Sequence, residues 1–176
     1  MASSQNGYPV IFRSSEVAKW FIPVTSGNQK YLPLRPGHTG FILAHFALYF
    51  HEEVERLNVQ RVWDDWGWAV RSITGPSRIY SNHASGTAQD LNATEHPYGR
   101  RGTFSDAQED AIHSRLREDR MRGSIRWGGD YSGTKDEMHF EIAQGYTTIT
   151  AVARDLRQSP RGKRIIQANK HYLKYF

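Results

Sequence analysis

From Thr39 onward, apolar residues return with helical spacing. Ile42, Phe46, Tyr49 or Phe50, Val54 and Leu57 share one face, while Glu52, Glu55 and Arg56 take the other. The pattern predicts a core-packed helix over 39–57, with Thr39 able to cap it. A period of two follows at 64–73, where Trp66, Trp68 and Val70 alternate with Ala69, Arg71 and Ile73; this predicts a strand carrying Arg71 opposite the tryptophans. The stretch from Tyr80 to Asn92 is polar and contains glycine, and a loop bearing Arg100 and Arg101 comes after it. Ser105 and Gln108 make a capping box for a helix to about Arg122, with Ala107, Ala111, Ile112 and Leu116 as its apolar positions. Short strands are expected at 124–127 and 137–142. A helix is expected at 147–158, and beyond Pro160 a basic amphipathic helix with Ile165, Ile166, Tyr172, Leu173 and Phe176. Short strands mixed with helices, without regular βαβ alternation, give an α+β class. The expected organisation is one domain over 1–176, with a flexible start at 1–7 and C-terminal helices over 147–176.

Composition sharpens this. The chain has 176 residues, 38% of them hydrophobic, which is enough for one core and excludes disorder. It has no cysteine, so disulfide frameworks and thiolate metal sites are excluded, and any metal must be held by histidine and carboxylate. A net charge of +5 favours an anionic partner such as nucleic acid, a lipid headgroup or a bacterial wall polymer. The longest apolar run, 41–50, is about half of what a membrane span requires. No continuous apolar stretch near the start resembles a secretion signal. The expectation is therefore no classical secretion and no membrane insertion.

Two segments carry candidate chemistry. His83 and Asp90 are separated by a turn containing Gly86, which would let both side chains reach one point. In 135–141, Met138, Phe140 and Ile142 alternate with Glu137, His139 and Glu141, so His139 leaves its strand on the polar face. Asp136 shares its site only if it lies before the strand or at a bulge. Two histidines and one aspartate around Zn²⁺ would leave a coordination position open for water, the arrangement of a catalytic site. A carboxylate is then needed to move the proton, Asp136 first and Glu141 in reserve. A cation is also needed for the oxyanion, and Arg71 fits that demand.

The segments Ser81 to Asp90 (S-x-H-x-x-G-x-A-x-D) and Asp136 to Glu141 (D-x-x-H-F-E), with Arg71-Ser72 upstream and Trp127 to Asp130 (W-G-G-D) between them, resemble the VanY and VanX type of zinc peptidase. That family includes D-alanyl-D-alanine carboxypeptidases and phage L-alanyl-D-glutamate endolysins. The resemblance implies one Zn²⁺ per chain on His83, Asp90 and His139, with Asp136 as general base and acid. It further implies that Arg71 contacts the substrate carbonyl, that Trp127 and Ser81 border the substrate groove, and that a small antiparallel sheet carries the zinc. The partner it implies is the peptidoglycan stem peptide, cut at L-Ala–D-Glu by a monomeric lysin that stays in the host cytoplasm until released to the wall. The rival enzyme is a D-Ala-trimming carboxypeptidase, with Arg78, Arg126 or Lys135 as the cation for a terminal carboxylate. A rival of another class is a nucleic-acid- or wall-binding module using Arg154, Arg157, Arg161, Lys163, Arg164 and Lys170, and nucleic acid is the weaker expectation.

Overall fold

The computed structural model describes residues 2–24, 30–57, 64–72 and 79–175. Ile73, Arg78 and Phe176 lie outside them. The first sheet is an antiparallel hairpin of β1 (Ala18–Ile22) and β2 (Lys30–Leu34), paired from Ala18 with Leu34 to Ile22 with Lys30. Its inward positions are Ala18, Trp20 and Ile22 facing Lys30, Leu32 and Leu34. Lys30 is fully buried and ion-paired with the equally buried Asp65, so a lysine occupies a core-facing position that the apolar pattern alone would leave unread.

Helix α1 (His38–Glu53) runs through the middle, buried continuously from Thr39 to His51. A helix that is apolar on nearly every side belongs inside a core rather than on its surface. It begins at Gly37, whose φ of 83° suits glycine; Thr39, expected as the cap, lies inside the helix and is buried. The second sheet has the order β3 (Ala88–Asp90), β5 (His139–Ile142), β4 (Ile125–Trp127), all antiparallel. On β5, Phe140 and Ile142 face the core, and Phe140 packs on Phe46 of α1 with ring centroids 4.7 Å apart. The alternate residues His139 and Glu141 point the other way.

Helix α2 (Asp106–Arg117) has the expected Ser105–Gln108 capping box but ends before Arg122, because Glu118 leaves helical geometry and a 3₁₀ turn follows at Asp119–Met121. Helices α3 (Tyr146–Arg157) and α4 (Pro160–Ala168) close the core, with Pro160 opening α4 where its missing N–H costs nothing. The result is the expected α+β class. Among the described residues no helix is long and apolar enough to cross a membrane.

Two further expectations are corrected. Residues 64–72 make no strand: they bridge only at Trp66–Asp90 and Ser72–Tyr80, while Trp68 gives its backbone N–H to Pro33 O and its indole N–H to Ile11 O. Bonds scattered over several partners replace a ladder, and Trp66 and Val70 end up exposed. The N-terminal segment is not frayed. Ser4 is buried with Oγ 2.8 Å from Ser85 Oγ, and Asn6 Nδ2 donates to Thr87 Oγ1 at 2.8 Å and to Ile142 O at 2.9 Å. Polar composition suggested solvent, but here the polar side chains saturate buried backbone and hydroxyl groups.

Candidate metal centre

Ser81 caps the 3₁₀ turn Asn82–Ser85, its Oγ accepting the His83 N–H, and Gly86 in the left-handed region (φ 66°) ends the turn and sends the chain into β3. Asp90 closes β3 directly opposite His139 on β5. Three donor atoms thus meet: His83 Nε2 lies 3.2 Å from Asp90 Oδ1 and 3.2 Å from His139 Nδ1, and His139 Nδ1 lies 2.8 Å from Asp90 Oδ1. All three residues are buried. Ligands at zinc–nitrogen and zinc–oxygen distances in a tetrahedron stand roughly 3.3 Å apart, so the spacing fits a small divalent ion.

The outer partners fix which lone pairs face inward. His83 Nδ1 is 2.6 Å from Gly67 O, which can only accept, so that nitrogen carries the proton and Nε2 presents its lone pair. His139 Nε2 is 3.3 Å from the Glu141 carboxylate, which leaves Nδ1 as the free donor atom. Two imidazole lone pairs and a carboxylate oxygen then converge, a repulsion that a cation relieves. The field agrees. Burial alone would lower the His139 pKa, yet the adjacent Asp90 and Glu141 carboxylates push it up to about 10, so positive charge is favoured at this point; Asp90 is held well below the usual carboxylate range, against burial, by the neighbouring His83 and His139.

Glu141 is fully engaged. Oε2 takes His139 and Asn82 Nδ2, and Oε1 takes the Arg126 guanidinium and, at 3.0 Å, the Tyr131 hydroxyl. Burial would raise its pKa, but His139, Asn82 and Arg126 lower it to about 2. It therefore holds His139 in place and has no oxygen to spare for a substrate proton, against its expected reserve role. Asp136 differs: it lies just before β5, its backbone O accepts the His139 N–H at 3.0 Å, and its Oδ1 is buried with no hydrogen-bond partner among the described residues. Burial raises its pKa to about 6, with His139 pulling down and Asp90 pushing up. Gly128 makes this placement possible, because a Cβ there would overlap the Asp136 carbonyl.

These residues line a cavity of about 490 Å³, together with Gln5, Arg71, Ser81, Tyr98, Arg126, Tyr131 and Met138. Arg71, Ser81, Asp136 and the three donors thus share one cavity. Trp127 does not join them: it is buried, stacked parallel on Phe140, and donates its indole N–H to Glu137 O at 2.6 Å. An inward position on β4 makes it a core residue, which corrects its expected place in the groove. Lys135 turns its Nζ to Gly129 O and is absent from the cavity wall, while Arg126 is on it. Tyr98 and Gln5 escaped sequence reading. Tyr98 is a two-thirds exposed aromatic on a loop that Glu137 pins through Gly102 N and Thr103 N, and Gln5 sits in the polar start.

A family model described as D-alanyl-D-alanine carboxypeptidase matches residues 74–142, a span that holds His83, Asp90, Asp136 and His139 and stops short of Arg71. Searches of curated proteins and of solved structures give no match.

Proposed function

We propose that this protein is a zinc-dependent peptidase acting on the peptide stems of peptidoglycan. The observation that carries this reading is one cavity holding both a three-donor cation site, His83, Asp90 and His139, and a buried carboxylate oxygen of Asp136 with no partner. The match to a family of wall peptidases over 74–142 supports the substrate class. Zinc in such a site supplies Lewis acidity, bringing the pKa of a water from about 15.7 to about 7 and polarising the scissile carbonyl. Asp136 accepts the proton of the attacking water at Oδ1 and returns it to the leaving amine. Arg71, on the cavity wall, steadies the oxyanion, and the Ser81 hydroxyl offers a hydrogen bond to the substrate backbone. Glu141, held by Arg126 and Tyr131, keeps the His139 ring in orientation.

Within this class the bond we favour is the internal L-Ala–D-Glu linkage. The cavity continues past Tyr98, Arg126 and Tyr131 into a second concavity of about 600 Å³ reaching Thr134, room for a chain that runs beyond the metal. A second reading, removal of terminal D-Ala, is favoured by the family description and by Arg126, a cation on the walls of both concavities that can take a free carboxylate. Purified peptidoglycan treated with the zinc-loaded protein, followed by mass spectrometry, separates them. New N-terminal D-Glu is expected; free D-Ala with intact stems would replace the endopeptidase reading by the carboxypeptidase. No product from either bond, in protein shown to contain zinc, would overturn the peptidase assignment.

A further inference from the structure

A second cavity, of about 320 Å³, lies where α1, the end of α2, the 3₁₀ turn Asp119–Met121 and the start of α4 meet, and it shares no lining residue with the metal centre. Its wall carries Arg115, Arg120, Arg161 and Arg164 against a single lining carboxylate, Glu52. Four guanidiniums around one concavity are costly to assemble unless something negative is held there. Nearby acids offset part of that cost. Glu52 takes Arg161 Nε and Arg164 Nη1, each at 2.6 Å; Glu118 takes Arg115 Nη1 at 2.6 Å and Arg120 Nε at 3.2 Å; Glu53 takes Arg161.

The acids do not saturate the cluster. Arg115 is the deepest member, its side chain 4% exposed, and its Nε–H is buried with no acceptor among the described residues. A guanidinium carries five N–H donors in a fixed fork, and an unmet buried donor on a charged group is among the more expensive defects a fold can carry. Its Nη2 is committed to His45 Nδ1 at 3.2 Å, so His45 must keep a lone pair on that nitrogen. His45 then donates from Nε2 to Ser159 Oγ at 3.1 Å, and Ser159 donates on to Leu156 O at 2.6 Å. This chain of bonds holds Arg115 rigidly and keeps His45 neutral beside the arginines. Burial first, and then Arg115, Arg161 and Arg120, push the His45 pKa down to about 3, so the imidazole stays neutral there. The N-terminal end of α4, capped by Ser159, adds the positive pole of a helix.

We infer that this cavity is a binding site for a phosphate-class oxyanion, engaged by Arg115, Arg120 and Arg164 at the N-terminal end of α4. Arg120 and Arg164 are half exposed and can swing onto a ligand, while Arg115 supplies the fixed, buried donor. The oxyanion can arrive free or as the phosphodiester of an anionic wall polymer. Both present the same tetrahedral oxygens, which match the guanidinium fork.

The test is isothermal titration at constant ionic strength with two probes, inorganic phosphate and a short poly(glycerol phosphate), and chloride as the blank. Saturable binding is expected, weakened at least tenfold in the double variant R120Q/R164Q and unchanged in R100Q/R101Q, which alters exposed arginines away from the cavity. Because the Arg120 and Arg164 side chains are half exposed, the variant should fold, and hydrolysis of soluble stem peptides should be unchanged in it. Tighter binding of the polymer identifies the wall as the source, and equal binding of both probes identifies the free ion. Absence of saturable binding, or binding that R120Q/R164Q leaves intact, overturns the site; phosphate held at the metal centre would give that second result. Tighter binding of duplex DNA than of either probe, lost in the same variant, would overturn the oxyanion assignment in favour of a nucleic-acid contact.

Discussion

A single oxygen, Asp136 Oδ1, separates the two carboxylates that the sequence offered for proton transfer. It is buried and unpartnered, while both oxygens of Glu141 are taken. Asp136→Asn preserves shape and removes the proton acceptor. Bound zinc, measured by elemental analysis, should stay at the wild-type level while turnover of stem peptide drops by about 10²–10⁴-fold. Turnover close to wild type would remove Asp136 from the chemistry. His45 gives a prediction about stability. Folded, it titrates at about 3 because burial and Arg115, Arg161 and Arg120 oppose its charge, with Glu52 acting weakly the other way; unfolded, it titrates near 6.5. Between those values the unfolded chain binds the extra proton, so stability falls as pH drops through this window. Relative to pH 7.5, His45 alone should cost about 2–3 kcal/mol at pH 4.5. His45→Gln can still accept from Arg115 and donate to Ser159 without titrating, and should lose that much less in urea melts over the same range. Parallel pH curves for the two proteins would refute this.

Among the elements, those built on clean periodicity were legible and those completed by distant partners were not. The alternation in 137–142 gave β5, put His139 on the polar face and let Asp136 share the site only before the strand or at a bulge; it lies before the strand. The capping box and Pro160 marked the starts of α2 and α4. The β1–β2 hairpin was missed because Lys30 holds an inward position that only Asp65, far along the chain, makes tolerable. Trp127 was misplaced because its motif pointed to a groove, while its strand parity turns it toward Phe140 and Phe104. The turn joining β4 to β5 yields a prediction of its own. Gly128 accepts the Asp136 N–H at 3.1 Å, and a Cβ on it would overlap the Asp136 carbonyl. Gly128→Ala should therefore displace Asp136 while leaving the three donors in place. A shift of about 1 Å can cost 10²-fold in rate, so turnover should fall by about that factor with zinc content and circular dichroism unchanged. Wild-type turnover would show that the turn relaxes without moving the carboxylate.

At the scale of the whole molecule, charge acts apart from the chemistry. The chain carries 23 basic and 18 acidic side chains, and the arginine-lined cavity concentrates part of the excess on a face that shares no residue with the metal centre. The sequence showed the excess but not its clustering, since Arg115, Arg120, Arg161 and Arg164 come together only when α1, α2 and α4 pack. If those arginines hold the protein on an anionic wall, attraction to the wall and the proposed cleavage of the stem should respond to salt differently. Exposed charges interact over a Debye length of about 8 Å at 0.15 M salt and about 3 Å at 1 M, whereas a buried metal centre is screened far less. Raising sodium chloride from about 0.1 M to about 0.5 M should slow turbidity loss of intact walls several-fold while changing the rate on soluble stem peptide by less than about twofold. R120Q/R164Q should flatten the salt response on walls and leave the soluble rate alone. If salt slows both substrates equally, the charge acts on catalysis or folding, and the separation of a wall-holding face from a cutting site fails.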